Sequence, residues 1–322
     1  MDLFCSPLDG AVTLGVLGVL FVNGWTDAPN AIASAIGSGA LSHRRGVILA
    51  TVMNLLGGGA SLFLGRQVAR TVQGLGEFPP GDNGTLALAV ALVTVILWAV
   101  AAWYFGLPTS ESHGLMAALA GSALALGGGL GIRALWKVLI GLVFSVGLGF
   151  LCGWALSAAF QHQKSRPGLW RRGQQLAAAL MAFAHGLQDT PKFAALLFMD
   201  PAGGLPLWGL FLCSGIMGLG TLLGGGRIIQ KVGSQMATLT PKEGFAADLA
   251  GGISLVLSTL QGLPVSTTHA KTCAMMGAAM GAPGSRVDKK VVGALFAAWG
   301  LTFPLCGLGA FFLTKLVLAI PF

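Results

Sequence analysis

The chain has 322 residues, of which 9% are charged and 54% apolar, with a mean hydropathy of +0.78. A water-soluble domain of this size carries roughly a quarter charged residues, so the composition excludes one and describes a polytopic membrane protein. The formal net charge of +8 does not point to nucleic acid: the basic residues cluster in short loops between apolar runs, where the positive-inside rule places them.

The start, Met1-Asp2-Leu3, has no basic n-region, which speaks against a cleaved signal peptide. Apolar runs long enough to span, at about 20 residues each, fall near 46–65, 85–105, 134–160, 206–223, 244–260 and 291–319. Two more apolar segments, 11–42 and 174–199, are interrupted by polar motifs and are predicted to be broken helices. The loop 74–84 carries Glu77 and Asp82 with no basic residue, which favours the outside; the sequon at Asn83 carries little weight in so short a loop. The most polar stretch, Gln161 to Gly173, holds Lys164, Arg166, Arg171 and Arg172 and reads as a cytoplasmic linker. It divides the chain into a first transmembrane repeat, 1–160, the linker 161–173, and a second repeat, 174–322. The five cysteines form no C-x-x-C pair and read as small buried hydrophobes. The 50 glycines lie largely within apolar runs, as in Gly57-Gly58-Gly59, where they let helices approach closely.

Two motifs occur twice, in the same order. The first is Asn23-Gly24-Trp25-Thr26-Asp27-Ala28-Pro29-Asn30, matched by His185-Gly186-Leu187-Gln188-Asp189-Thr190-Pro191-Lys192. The second is Gly106-Leu107-Pro108-Thr109-Ser110-Glu111-Ser112-His113, matched by Gly262-Leu263-Pro264-Val265-Ser266-Thr267-Thr268-His269. Duplication with Gly and Pro interrupting apolar segments at corresponding places marks a transporter's substrate site. The predicted fold is therefore an all-α polytopic membrane protein of two inverted repeats. Each repeat has a broken motif helix (11–42, 174–199) and a re-entrant helical hairpin (106–129, 262–283).

Carboxylates within a bilayer are expensive and usually functional. Asp27 and Asp189, with Thr26 and Gln188 beside them, offer the oxygen ligands a hard cation such as Na+ wants, or could take up a proton. Capped Pro-Gly kinks would explain one such motif structurally, but recurrence in the second half favours function. Ser110, Ser112, Ser266, Thr267 and Thr268 follow a proline, where hydroxyls cap helices and where helix N-termini bind oxyanions; the two roles are compatible. Asn30 adds a further oxygen ligand, and Lys192, in the equivalent place, could neutralise a bound anion. His113 and His269 suit a structural hydrogen-bonding role at least as well as metal or proton chemistry. Glu111 and Lys271 break the symmetry. Glu111 could be paired with Lys271 or Lys192, or be unpaired and carry a coupling proton. The run Gly218 to Gly226 lacks the G-K-[ST] ending of a P-loop and reads as close helix packing.

At these four motifs the chain resembles the PiT family of inorganic phosphate transporters, with its duplicated G-x-N-D-x-x-N/K signature and paired G-[LM]-P-x-S-x-[ST]-H hairpins. Further similarity runs through Trp103-Tyr104-Phe105, Gly218-Leu219-Gly220-Thr221 and Ala298 to Pro304, so it covers nearly the whole chain. The resemblance implies phosphate uptake driven by Na+ or H+. It also implies a central site lined by Asp27, Asn30, Asp189, Lys192 and the hairpin hydroxyls. The chain departs from the family at Thr26 and Gln188, where an Asn is common, and at Glu111, where a small residue is usual. These departures bear on the coupling ion more than on the fold.

The resulting expectation is a secondary active transporter in the cytoplasmic membrane, not an enzyme and without a cofactor, importing inorganic phosphate with Na+ or H+ by alternating access. Phosphate keeps a proton at neutral pH and can donate to a carboxylate, whereas sulfate cannot. The alternatives are a proton-coupled sulfate or other oxyanion permease, an ion channel, and, against the lack of any nucleophile-base set, a membrane enzyme. The expected partners are phosphate and membrane lipid, with room for a homodimer and no role for nucleic acid.

Overall fold

The computed structural model describes residues 6–163, 166–197 and 206–320, and these are helical apart from short connections. The first half runs α1 (Pro7–Thr26), α2 (Asn30–Gly37), α3 (His43–Leu64), α4 (Arg66–Gln73), α5 (Asp82–Tyr104), α6 (Glu111–Ala125) and α7 (Ile132–Gln161). The second runs α8 (Pro167–Leu197), α9 (Leu207–Leu223), α10 (Gly226–Gln230) continued by a π-helical stretch (Lys231–Met236), α11 (Pro241–Leu260), α12 (Thr267–Met280) and α13 (Lys289–Leu318). Six helices or helix pairs among the described residues are long and apolar enough to cross a membrane, and a seventh candidate is the bent pair α9 plus 226–236.

The element orders superpose: α1 and α2 answer to α8, α3 to α9, α4 to the 226–236 segment, α5 to α11, α6 to α12 and α7 to α13. The correspondence reaches details. Isolated antiparallel bridges join Gly76 to Leu130 and Ala237 to Val287, each linking the end of the short element to the start of the long last helix. Gly106 and Gly262 both adopt positive φ, 65° and 67°. Each makes the same turn, with Leu107 N–H donating to Ala102 O and Leu263 N–H donating to Ser258 O, both at 2.9 Å. A residue with a Cβ would be strained there.

Two expectations are corrected. The segments 106–129 and 262–283 are not hairpins in themselves. Each is an extended tip followed by one helix, and the hairpins are α5 with α6 and α11 with α12. The cause is capping: Ser110 and Ser266 accept from the N–H of His113 and His269, which starts α6 and α12 and lets each run uninterrupted to its closing glycine.

The second motif helix is not broken either. α1 ends at Thr26 and α2 starts at Asn30, but α8 continues through Pro191. In the first half Ala28 N–H reaches back to Asn23 O and Asn30 N–H turns tightly onto Asp27 O. In the second, side chains brace the proline turn. Lys192 bonds Asp189 three residues back. Gln188 donates to Leu263 O and accepts from Thr259. The first half has no such lysine, only Asn30, whose amide makes no hydrogen bond.

The polar linker is shorter as a loop than its composition suggests, because α8 begins at Pro167; Lys164 lies outside the described residues. The run 218–226 packs as expected. A Cβ on Gly220 would lie 2.1 Å from Phe21 O, and one on Gly24 would lie 1.9 Å from Met217 O, so α1 and α9 cross in backbone contact. The equivalent crossing of α8 on α3 depends on Gly186, whose Cβ would lie 2.3 Å from Asn54 O. These crossings press both motif helices into the protein interior. Cys213, Cys273 and Cys306 are buried free thiols and Cys152 is half-buried; Cys5 lies outside the described residues.

Candidate functional site

The four motifs converge. The break after α1 leaves Asp27 as its C-cap, 2% exposed. There it accepts from Thr267 (2.9 Å) and from Thr268, both on the first turn of α12. Thr267 also lies 3.4 Å from Asp189 Oδ2, so one hydroxyl bridges the carboxylates of the two halves. Asp189, fully buried in α8, accepts from Asn23 (3.1 Å) and from Lys192 (2.6 Å). His185 Nε2 lies 3.5 Å from it, and the far side of that ring meets Asn54 Oδ1 at 2.9 Å. Lys192 Nζ also donates to Ser112 (2.9 Å) and to Val265 O (2.5 Å), tying α8 to both hairpin tips.

Glu111 is buried and accepts from Thr26 at 2.5 Å. It pairs with neither lysine. Lys192 is taken by Asp189, and Lys271 pairs with Asp248 of α11. The ion-pair alternative for Glu111 is thereby overturned, since each lysine has a nearer carboxylate, Lys192 on its own helix and Lys271 on the neighbouring α11. Ser110 and Ser266 serve as helix caps, and Gln188 braces α8. His113 and His269 meet in a tilted contact with centroids 4.8 Å apart, and none of their ring nitrogens has a hydrogen-bond partner.

Asp27, His185 and Asp189 offer ligand atoms all within 4.8 Å of one another, a set that would suit a cation. Around them the buried Asn23 Oδ1, both amide atoms of Asn30 and Glu111 Oε2 also lack protein partners. Buried polar groups in native proteins are almost always satisfied, so this arrangement has hydrogen-bonding capacity to spare for a polar guest. It presents carboxylates and amides for a cation, and an ammonium with hydroxyls for an anion.

Sequence reasoning missed His185, Asn23, Asn54 and Asp248. His185 and Asn23 occupy the same place in the two copies of the first motif, and Asp248 is a carboxylate inside an apolar run, beyond the first turn of its helix. Both were signals of the kind that singled out Asp27.

Fold and site together define a multi-pass membrane protein whose two halves share an element order and meet at paired buried carboxylates. The profile of the phosphate transporter family matches residues 23–166 and again 156–310, and the chain belongs to that family. A "Probable low-affinity inorganic phosphate transporter" of Bacillus subtilis (strain 168) is 31% identical over 326 residues, covering 95% of this chain and 97% of that protein. One of the same description from Rhizobium meliloti (strain 1021) is 34% identical over 304 residues, covering 89% and 90%. A solved structure described as "The sodium-dependent phosphate transporter" superposes with a TM-score of 0.84 over 98% of this chain and 99% of that one, at 19% identity. At that identity it supports the fold alone.

Proposed function

We propose that the protein imports inorganic phosphate across the cytoplasmic membrane, coupled to Na+ or H+, by alternating access of two inverted repeats around the central site. The observation that carries this is Thr267 bridging Asp27 and Asp189, with Lys192 beside them. One buried cluster thus brings groups suited to a cation and groups suited to an anion into contact. Lys192, Ser112, Thr267 and Asn30 would hold the phosphate oxygens, while Thr268, bonded to Asp27, would lie on the cation side. A phosphate that keeps its proton can donate to a carboxylate, as sulfate cannot. Asp27, with Thr26 near it, would take the coupling cation, because its hydrogen-bond partners are neutral while Asp189 already has Lys192. The names of the relatives support phosphate as the substrate.

The test is radiolabelled phosphate uptake into proteoliposomes with sodium and proton gradients imposed separately and sulfate as competitor. Accumulation driven by either gradient and resisting sulfate is expected. Flux that neither saturates nor runs uphill would mean a channel, and sulfate accumulation in place of phosphate would mean another oxyanion carrier.

A further inference from the structure

The second half contains a buried ionic cluster that the proposed mechanism does not use. Lys271 of α12 pairs with Asp248 of α11, and Ser34 of α2 bonds both, donating to Asp248 and accepting from Lys271 at 2.8 Å. All three side chains are essentially inaccessible, and Asp248 Oδ2 has no partner. Its first-half counterpart is apolar. Counted from Gly106 and Gly262, Lys271 falls on Leu115 and Asp248 on Leu92. Counted from Asp27 and Asp189, Ser34 falls on Leu196. The three leucines belong to one buried cluster. The same packing is thus achieved without charge, and an apolar replacement of a buried ion pair is often neutral or stabilising. Stability does not explain the polar version.

Position does. Lys271 is one helical turn beyond Thr267 on α12, and Ser34 is one turn beyond Asn30 on α2. Ser38, one turn further still, donates to Gln174 of α8 at 2.6 Å and is half-buried. Asn30, Ser34 and Ser38 therefore form a polar stripe at i, i+4 and i+8. It runs from the central site to the end of the molecule where α8 begins and where Gln161 meets Glu243. On the other side of the site, the residues one turn beyond Lys192 and Glu111 are Leu196 and Leu115.

We propose that the α2 stripe lines the route between the central site and the linker-side surface, and that Lys271 with Ser34 forms a second phosphate station on it. Asp248 holds the ammonium in place and is exchanged for the anion as it passes. The leucine seam stays sealed. The inference rests on the reading of phosphate as the substrate.

The test uses the full chain with its native cysteines replaced by alanine and wild-type uptake verified. A sulfonate-bearing methanethiosulfonate is applied from the linker side to Ser34→Cys, Leu196→Cys and, for the central site, Ser112→Cys. Ser34→Cys should react and Leu196→Cys should not. Phosphate at ten times its half-saturating concentration leaves about a tenth of the sites free, so labelling of Ser34→Cys should slow about 10-fold. Adding Lys271→Leu with Asp248→Leu, which copies the first half and leaves no orphan charge, should abolish that protection. Protection of Ser112→Cys should remain, while uptake is lost. The station is refuted if phosphate protects Ser112→Cys but not Ser34→Cys, if Leu196→Cys labels as fast as Ser34→Cys, or if the double leucine variant transports normally. Protection of neither cysteine would overturn the phosphate reading itself.

Discussion

The two motif helices carry the same carboxylate in opposite settings. Asp27 sits where α1 breaks from α2, with threonine hydroxyls as its hydrogen-bond partners. Asp189 sits within an unbroken α8 and is clamped by Lys192, with His185 beside it. A duplicated sequence has thus produced one carboxylate bonded by a lysine and one bonded only by hydroxyls, the one proposed to take the coupling cation. The repeat brings the two carboxylates together, and the difference between Asn30 and Lys192 sets their surroundings apart.

The largest expected effects test this inequality directly. Asp27→Asn and Asp189→Asn should both abolish uptake, but only the second should destabilise the fold. It leaves the Lys192 ammonium buried without its partner, a loss of about 3–5 kcal/mol. Asp27→Asn removes a buried charge that no cationic side chain bonds, so thermal unfolding in detergent should show no loss. Adding Lys192→Met to Asp189→Asn should restore stability without uptake. Equal destabilisation by the two single variants would break the comparison.

Smaller effects separate anion from cation. Ser112→Ala removes a hydroxyl that contacts Lys192, and Thr268→Val one that contacts Asp27. A hydrogen bond to a charged group contributes about 1.5–3 kcal/mol, roughly 10-fold or more in affinity. Ser112→Ala should raise the phosphate concentration for half-maximal uptake by that factor. Thr268→Val should raise the half-saturating concentration of the coupling cation instead. A shift of the same parameter in both would merge the two subsites.

Glu111→Gln should flatten the pH dependence of uptake if this carboxylate, free of any lysine, carries the coupling proton. Strictly sodium-driven uptake with an unchanged pH profile would remove it from the mechanism. Least of all, Ser110→Ala and Ser266→Ala each delete a helix cap, costing about 1 kcal/mol of stability. The cost should be similar in the two halves because the caps superpose. A change in phosphate affinity in either would mean that the hydroxyl also reaches the substrate.

Much of this was legible in the sequence because the bilayer simplifies the code. Charge is rare enough that Asp27 and Asp189 stand out, and the spans near 46–65 and 134–160 appear as α3 and α7 with ends displaced by a few residues. Duplication then paired the motifs. What could not be read was geometry beyond one element. Proline predicts a helix break from local sterics, yet at Pro191 the bracing comes from Lys192 and from Leu263 and Thr259, more than 60 residues away in the chain. The partner of Lys271 stayed open for the same reason: Asp248 faces it from the neighbouring arm of the hairpin, a relation that spacing alone does not encode.

The central claim is that Asp27 takes the coupling cation while Asp189 stays paired with Lys192. It is tested most directly by phosphate accumulation in proteoliposomes of wild type and Asp27→Asn, under separate sodium and proton gradients. Counterflow exchange of phosphate at zero gradient is measured alongside. The account predicts that wild type accumulates phosphate with one of the gradients and that Asp27→Asn responds to neither while remaining folded. Gradient-driven accumulation by Asp27→Asn at the wild-type level would contradict it.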